Sequence, residues 1–502
     1  EIASCLVGSE MCIRDRYDVS LDAGAQGHTF KDAIHAATGV PPERQKVMTK
    51  GGLLKDDTDL SKLGVRAGQQ FMVLGAAGEL PQAPVQPVVQ FAEDLPPAQA
   101  RSDDERVGLL NLGNTCYLNS TLQVLRTIPE LQESLNAATS LSASSGNGDV
   151  ALSAALRDLF KSMQSSTNAF APLLFLSVLR RVAPQFAETA EGGGFAQQDA
   201  EEVWVRIVNA LNTLPVAGAA SERFVPQFLT GQMSVERSCA EAPDEAHSSA
   251  TDPFLMLQCN ISSTTNDMSR GILDSLTQQI EKHSEQLQRT AVYDEKSRVA
   301  RLPRYLAVHF VRFYWRRDIH KKTKIMRKVK FPLELDAGEF ATDELRARLG
   351  PVAARVKAVA KERDERAKVR RRVKTQADAD SNAPAAGSAL TDDQEREARA
   401  REAHEIDALV DAGLRSDLGA NVSGLYELAG IVTHKGAAAD AGHYISWVRR
   451  DAKREALDTP DDAWLKLDDD RVSVVSPDKI DSLSGGGQDS VAYILLYRAK
   501  TW

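Results

Sequence analysis

The stretch "LLNLGNTCYLNSTLQVL" (Leu109–Leu125) holds one cysteine, Cys116, after a Gly-Asn-Thr turn and before an apolar run. Asn114 and Thr115 are residue types that start helices, and "YLNSTLQVL" carries apolar residues at helical spacing. Cys116 is therefore expected at a helix N-terminus, where the dipole and free backbone N–H groups favour the thiolate, the reactive form. The local sequence also fits a buried, inert thiol, because free cysteines are among the most buried residues. The rest of the chain has to decide between the two.

A nucleophilic thiolate needs a base, and the base needs an orienting group. Nine histidines are available. His443 lies in "DAGHYISWV", a glycine-flanked loop that opens into an aromatic strand. Gly442 there permits close approach of another chain. His434 in "VTHKG" competes with it. His309 in "RYLAVHFVRFYW" sits inside a strand pattern and reads as structural. Asp468 heads "DDD" after "AWLKL", at a strand end where a carboxylate can face an imidazole. The same run also fits a solvated acidic turn.

At 502 residues the chain is too long for one core, and two or three domains are expected. Its net charge of −9 argues against a general nucleic-acid binder. Five cysteines, none in a Cys-x-x-Cys pair, suggest a reducing, intracellular setting and no disulfide framework. No stretch approaches the ~20 apolar residues a membrane helix needs. The opening "EIASCLVGSEMCIRDR" does not have the pattern of a secretory signal.

Residues 17–75 form a small first unit. "YDVSLDA" alternates as a strand does, and "HTFKDAIHAATGV" has helical spacing through Phe30 and Ile34, with Gly39 at the expected C-cap. Residues 76–104, rich in Pro, Ala and Gln, read as an extended linker. The large unit, 105–502, contains a charged, Ala-rich insertion at about 338–416, expected as a solvated helix followed by disorder. After it, β-branched and aromatic runs from "YELAGIVTHKG" to "VAYILLYRA" predict a strand-rich end.

The order of these pieces carries a resemblance. "GLLNLGNTCYLNSTLQVL" resembles the cysteine box of the ubiquitin-specific proteases. "YELAGIVTHKGAAADAGHYISWVRRD" followed by "AWLKLDDDRVSVV" resembles their histidine box, and "FAQQDAEEVW" (Phe195–Trp204) their Gln-x-Asp-x-x-Glu box. The likeness spans about Val107–Arg498. It implies an α+β protein with a papain-like thumb-palm-fingers catalytic domain. Cys116 would be the nucleophile, His443 the base, and Asp468 the residue orienting the imidazole. Asn111 would donate to the oxyanion beside the Cys116 backbone N–H, with Asp469 a secondary contributor. The family pattern places the base in Gly-His-Tyr, choosing His443 over His434. The implied substrate is ubiquitin, cut after its C-terminal Gly-Gly. Asp199, with Gln198 beside it, would meet the tail's arginines, and Gly442 and Tyr444 would border the tail channel. No cofactor is implied. Many members bind zinc through two Cys-x-x-Cys pairs in the fingers. Here Cys239 and Cys259 stand alone, so fingers held by packing, without metal, are expected.

"PPERQKVMTKGGLLKDDTDLSKLGVRAGQQFMVL" (Pro41–Leu74) resembles ubiquitin itself. A ubiquitin-like β-grasp domain ahead of such a catalytic domain is similar to the proteasome-associated members of the family. Gly75-Ala76 replaces ubiquitin's terminal Gly-Gly, so the unit is expected to be a fixed domain. The resemblance implies docking to the 26S proteasome regulatory particle through Met48, Met72 and Leu74, low activity of the free protein, and a place in cytoplasm and nucleus. The Gly/Ala-rich run His434–Gly442 is expected to be mobile. Residues 1–16 lack the alternation of a first ubiquitin strand, so the sheet is expected to miss one strand. A non-catalytic ubiquitin-binding proteasome adaptor is the rival reading.

Overall fold

"HTFKDAIHAAT" coils into α1 (Gly27–Thr38), burying Phe30 and Ile34, and ends on Gly39 in the left-handed conformation at φ 71°. In the computed structural model the chain divides into two compact units, residues 1–101 and 102–502. The described residues are 2–8, 15–22, 24–49, 52–64, 69–74, 106–190, 193–242, 248–316, 321–379, 390–436, 442–450, 463–485 and 490–502. Of the run His434–Gly442, residues 437–441 lie outside them, as does the linker.

The N-terminal unit is a five-stranded sheet under α1. Its strands are β1 (Ile2–Gly8), β2 (Asp15–Ser20), β3 (Lys46–Thr49), β4 (Gly52–Leu53) and β5 (Gln70–Leu74), ordered β2-β1-β5-β3-β4. Strand β1 runs antiparallel to β2 and parallel to β5, with Cys5 opposite Phe71 and Val7 opposite Val73. This corrects the expectation of a missing strand. A strand with neighbours on both sides is held by two backbone ladders, which ask for no side-chain alternation. Burial alternates along β5: Phe71 and Val73 face the core, and Phe71 packs edge-on to Phe30 at 5.2 Å, worth ~1 kcal/mol beyond burial. Met72 and Leu74 face outward.

The second unit has a helical part, two main sheets and a helical arm. Helices α2 (Cys116–Leu125), α3 (Pro129–Ala137), α4 (Gly148–Ser165), α5 (Leu173–Val182) and α6 (Ala200–Ala210) share one core with the near side of the larger sheet. A short hairpin, β6 (Pro215–Val216) and β7 (Ala219–Arg223), follows them. Strands β8 (Gly231–Ser238), β9 (Ser248–Phe254), β11 (Thr277–Ser284) and β12 (Arg289–Arg301) form a four-stranded antiparallel sheet, ordered β11-β12-β8-β9. The eight-stranded sheet contains β10 (Met256–Asn260), β13 (Tyr305–Val311), β16 (Glu334–Asp336), β17 (Leu425–Lys435), β18 (His443–Arg449), β19 (Trp464–Asp468), β20 (Arg471–Val475) and β21 (Val491–Ala499). A hairpin of β14 (Phe313–Arg316) and β15 (Lys321–Lys324) stands beside it, and α7 (Met268–Ser275) packs on β10.

Cys259 lies in β10, so it belongs to the large sheet and not to the finger-like one. Cys239, just past β8, packs with Ala242, Ala291 and Tyr293.

The charged insertion is more ordered than its composition suggests. Helix α8 (Asp343–Ala379) and α9 (Asp392–Ala408) lie side by side. Arg366 meets Glu395 at 2.8 Å and Glu402 at 2.7 Å, and Arg363 meets Glu402 at 2.7 Å. Glu395 is wholly buried. Residues 391–408, expected as disorder, are thus a capped helix, while 380–389 of that stretch lie outside the described residues. These ion pairs continue a short apolar contact in which Val352, Val356 and Val359 of α8 bury against Ile406 of α9.

Candidate active site

Helix α2 is buried on every side, which brings its polar residues into service as struts. Gln123 donates to the Val107 carbonyl at 2.7 Å, and Asn119 donates to Asp469 Oδ1 at 2.8 Å. Gly430 of β17 lets the helix come close: a Cβ there would stand 2.9 Å from Val124. Cys116 is the first residue of this helix. Asn114 and Thr115 do not cap it as their types suggest. Asn114 adopts φ +53° and donates to the Phe195 carbonyl at 3.0 Å. Thr115 is the N-cap residue, but its hydroxyl accepts from Leu112 N–H at 2.9 Å. The Thr115 side chain therefore caps none of the first-turn amides of α2.

His443 opens β18, and Asp468 closes β19, the strand paired next to it in the same sheet. His443 Nε2 stands 2.6 Å from Asp468 Oδ1. With Nε2 engaged there, Nδ1 is the nitrogen left for Cys116. The hydrogen bond to Cys116 is the main cause that raises the His443 pKa to about 9. Burial opposes the rise and Asp468 assists it. Burial also works against the charged form of Asp468, but hydrogen bonds from Lys466 and His443 together hold its carboxyl below the usual range. Lys466 Nζ meets Asp468 Oδ2 at 2.8 Å. A thiol, an imidazole and a carboxylate are thus brought together, a set suited to an imidazolium–thiolate pair.

Asn111 is pinned on both sides of its amide. Its Oδ1 accepts from Gly113 N–H at 3.0 Å and Thr115 N–H at 3.2 Å, and its Nδ2 donates to Asp469 Oδ2 at 2.9 Å. One amide hydrogen remains for a guest. Asp469 holds the left-handed conformation at φ +54°, and its carbonyl accepts from Leu109 N–H at 2.9 Å. It ties the turn after β19 to the loop before α2.

The remaining candidates separate. Asp199 caps α6 through Glu201 N–H at 2.8 Å and accepts from Tyr493 Oη at 2.7 Å, both on Oδ1, leaving Oδ2 for a cation. Gln198 is half-buried beside it. The amide that reaches Cys116 is Gln197's, with Nε2 3.9 Å from Cys116 Sγ. Sequence reading passed over Gln197, although the Gln-x-Asp spacing within "QQDA" was the signal that could have found it. Tyr444 is 1% exposed and packs on His434 at 4.7 Å and Tyr493 at 5.9 Å. It therefore supports the wall from behind and does not line a channel, because a tyrosine beneath two rings has no face for a ligand. Gly442 is obligatory for an internal reason: a Cβ there would lie 2.2 Å from His434 Nε2. His434 itself is fully buried, and burial pushes its pKa to about 3. It is neutral and shielded, unfit as the base. His309 packs edge-on to Tyr493 at 4.9 Å, again structural.

The sequence profile of the family "Ubiquitin carboxyl-terminal hydrolase" matches residues 107–497. The chain belongs to that family. The hydrolase also carries a match to the "Ubiquitin family" over residues 12–77. It is 42% identical to ubiquitin carboxyl-terminal hydrolase 6 of Schizosaccharomyces pombe over 97% of both chains. It is 38% identical to ubiquitin carboxyl-terminal hydrolase 6 of Arabidopsis thaliana over 96% of both. It is 30% identical to ubiquitin carboxyl-terminal hydrolase 14 of Caenorhabditis elegans, over 97% of this chain and 92% of that one. A solved SAGA Ubp8/Sgf11/Sus1/Sgf73 DUB module bound to ubiquitin aldehyde shares the fold, with a TM-score of 0.50 and 19% identity. The match covers 80% of this chain and 71% of that one. The hydrolase is thus a cysteine-type deubiquitinase with an N-terminal ubiquitin-like domain. Among the described residues no helix is long and apolar enough to cross a membrane.

Proposed function

We propose that this deubiquitinase works at the proteasome, where Cys116 cleaves the isopeptide or peptide bond after the C-terminal glycine of ubiquitin. The observation that carries the chemistry is His443, held by Asp468 at 2.6 Å and close enough to Cys116 for that thiol to be the first cause raising its pKa. Cys116 Sγ attacks the glycine carbonyl carbon, and the oxygen's new negative charge meets the Cys116 backbone N–H and the Asn111 amide. His443 gives its proton to the departing amine, a lysine Nζ in an isopeptide, as the C–N bond breaks. The thioester left behind is hydrolysed by water, whose proton passes to His443, and the thiolate returns. Asp469 serves Asn111 by holding its amide. Asp199 Oδ2 and Gln198 are assigned to the arginines of ubiquitin's tail. A purely adaptor protein would have no use for an imidazole poised in this way.

The proteasome half of the proposal rests on the ubiquitin-like domain. Met48 is 45% exposed and Met72 56%, and the two face each other across β3 and β5. Leu74 lies two pairs along, on the same face, and Leu53 of β4, which sequence reading did not single out, sits opposite Met48. Clustered apolar residues on one sheet face mark interfaces, and methionines suit adaptable ones. The 26S regulatory particle is the proposed partner, and cytoplasm and nucleus the proposed location. The test is hydrolysis of a ubiquitin C-terminal fluorogenic substrate with and without purified proteasome. A large gain on the proteasome is expected, and full activity of the free protein would remove the regulatory part.

A further inference from the structure

Lys324, the last residue of β15, is only 4% exposed. Its Nζ reaches three acceptors: His434 Nδ1 at 3.0 Å, the His434 carbonyl at 2.8 Å and the Gly436 carbonyl at 2.9 Å. All three ammonium hydrogens are thereby used. Among the described residues no carboxylate is paired with it. Burial, and after it the repulsion of Arg312, bring its pKa down to about 8. An unpaired buried cation is costly to keep, so its value is in where it holds its acceptors.

Those acceptors lie at the end of β17. In the β17–β18 ladder His434 faces Tyr444, and Lys435 faces His443. The ring of His434, fixed by Lys324 at Nδ1, is clasped edge-on by Phe313 at 5.2 Å and Tyr444 at 4.7 Å. Gly442 packs directly on that ring. The segment after Lys324 is anchored in turn by Arg312, which donates to the carbonyls of Ile325 at 3.2 Å and Arg327 at 3.0 Å. A rigid path therefore runs from the β14–β15 hairpin through Lys324 and His434 to the backbone on which His443 begins.

We propose that Lys324 is a positioning residue for His443, its ammonium fixing the β17 end and His434 so that the imidazole is presented to Cys116. The inference rests on Cys116 and His443 as the reacting pair. The titratable groups facing Lys324 and His434 are Arg312 from the end of β13, Tyr444 and His443 from β18, and the two residues themselves.

The test uses the full chain with Lys324→Met and Lys324→Gln, and Cys116→Ala as control. Lys324→Met should lose roughly 10- to 100-fold in kcat with KM little changed, the signature of a misplaced reacting group. Iodoacetamide alkylation of Cys116 should need a higher pH than in the unaltered protein, because the thiolate loses a well-aimed imidazolium. Lys324→Gln, keeping two N–H donors, should recover part of both. Unaltered kcat and alkylation profile in either variant, even with a lowered Tm, would overturn the proposal. Loss in KM alone would do the same. Hydrolysis surviving in Cys116→Ala would instead remove the reading of the site on which it rests.

Discussion

The side-chain amide of Asn111 donates to Asp469 Oδ2 at 2.9 Å, joining two residues 358 positions apart in the chain. Asp469 touches Asn111, the proposed oxyanion donor, so its effect should pass through Asn111. Asn111→Ala is expected to lower kcat by roughly 10²–10³ with little change in KM. Asp469→Ala should cost less, and the double variant should be no worse than Asn111→Ala alone. Single-turnover kinetics on the three variants checks this. Losses that multiply would mean that the two residues act separately.

His443 gives a pH dependence of definite sign. Its folded pKa of about 9 lies above the ordinary histidine value of 6.5. The folded state therefore holds the proton more tightly, and the stability this contributes is complete below pH 6.5 and is lost as pH rises through 9. The same proton is needed by the departing amine. With an isopeptide-linked substrate, kcat/KM should fall on the alkaline side near pH 9. Comparing Tm of the unaltered protein and His443→Ala from pH 6 to 10 should show the gap closing over that interval. A gap that widens instead would reverse the assignment.

Two histidines in neighbouring strands should behave differently. His443→Ala removes the proposed base and should abolish hydrolysis while leaving Tm near normal at high pH. His434→Ala empties a fully buried aromatic cluster and should destabilise by about 2–4 kcal/mol while retaining more activity than His443→Ala. Denaturant melts and fluorogenic assays on both variants decide it. Equal losses of activity would mean that the base was chosen wrongly.

Changing Met48, Met72 and Leu74 together to polar residues should weaken co-purification with the proteasome and its stimulation. These side chains are exposed on the outer face of the small sheet, so folding of the domain should tolerate the change. Hydrolysis by the free protein should be unaltered. Proteasome binding at full strength in the triple variant would move the docking surface elsewhere.

The candidate site was largely legible because its chemistry is concentrated in short runs. Cys116 precedes a helical pattern, and His443 follows a glycine that no other residue can replace beneath His434. What the runs could not show was which way a side chain faces. Tyr444 and His434 alternate with functional neighbours in sequence, yet lie inside an aromatic cluster. Gln197 and Gln198 are the same residue type, and the Gln-x-Asp spacing to Asp199 favours Gln197, the one that the fold brings to Cys116. In the arm, Glu395 and Glu402 look solvated until Arg363 and Arg366 are brought to them from α8. The first strand escaped notice because its order comes from backbone partners on both sides and not from a pattern of its own.

The central claim is that Cys116 is the nucleophile. Burial raises the Cys259 thiol to about 12, which leaves it unreactive at neutral pH, whereas Cys116 sits against His443. Treating the full chain with a ubiquitin vinyl-sulfone probe and mapping the adduct by mass spectrometry tests this most directly. The account predicts one ubiquitin per chain, on Cys116, with no labelling of Cys116→Ala and ubiquitin binding by that variant preserved. An adduct on Cys239 or Cys259, or undiminished hydrolysis by Cys116→Ala, would contradict it.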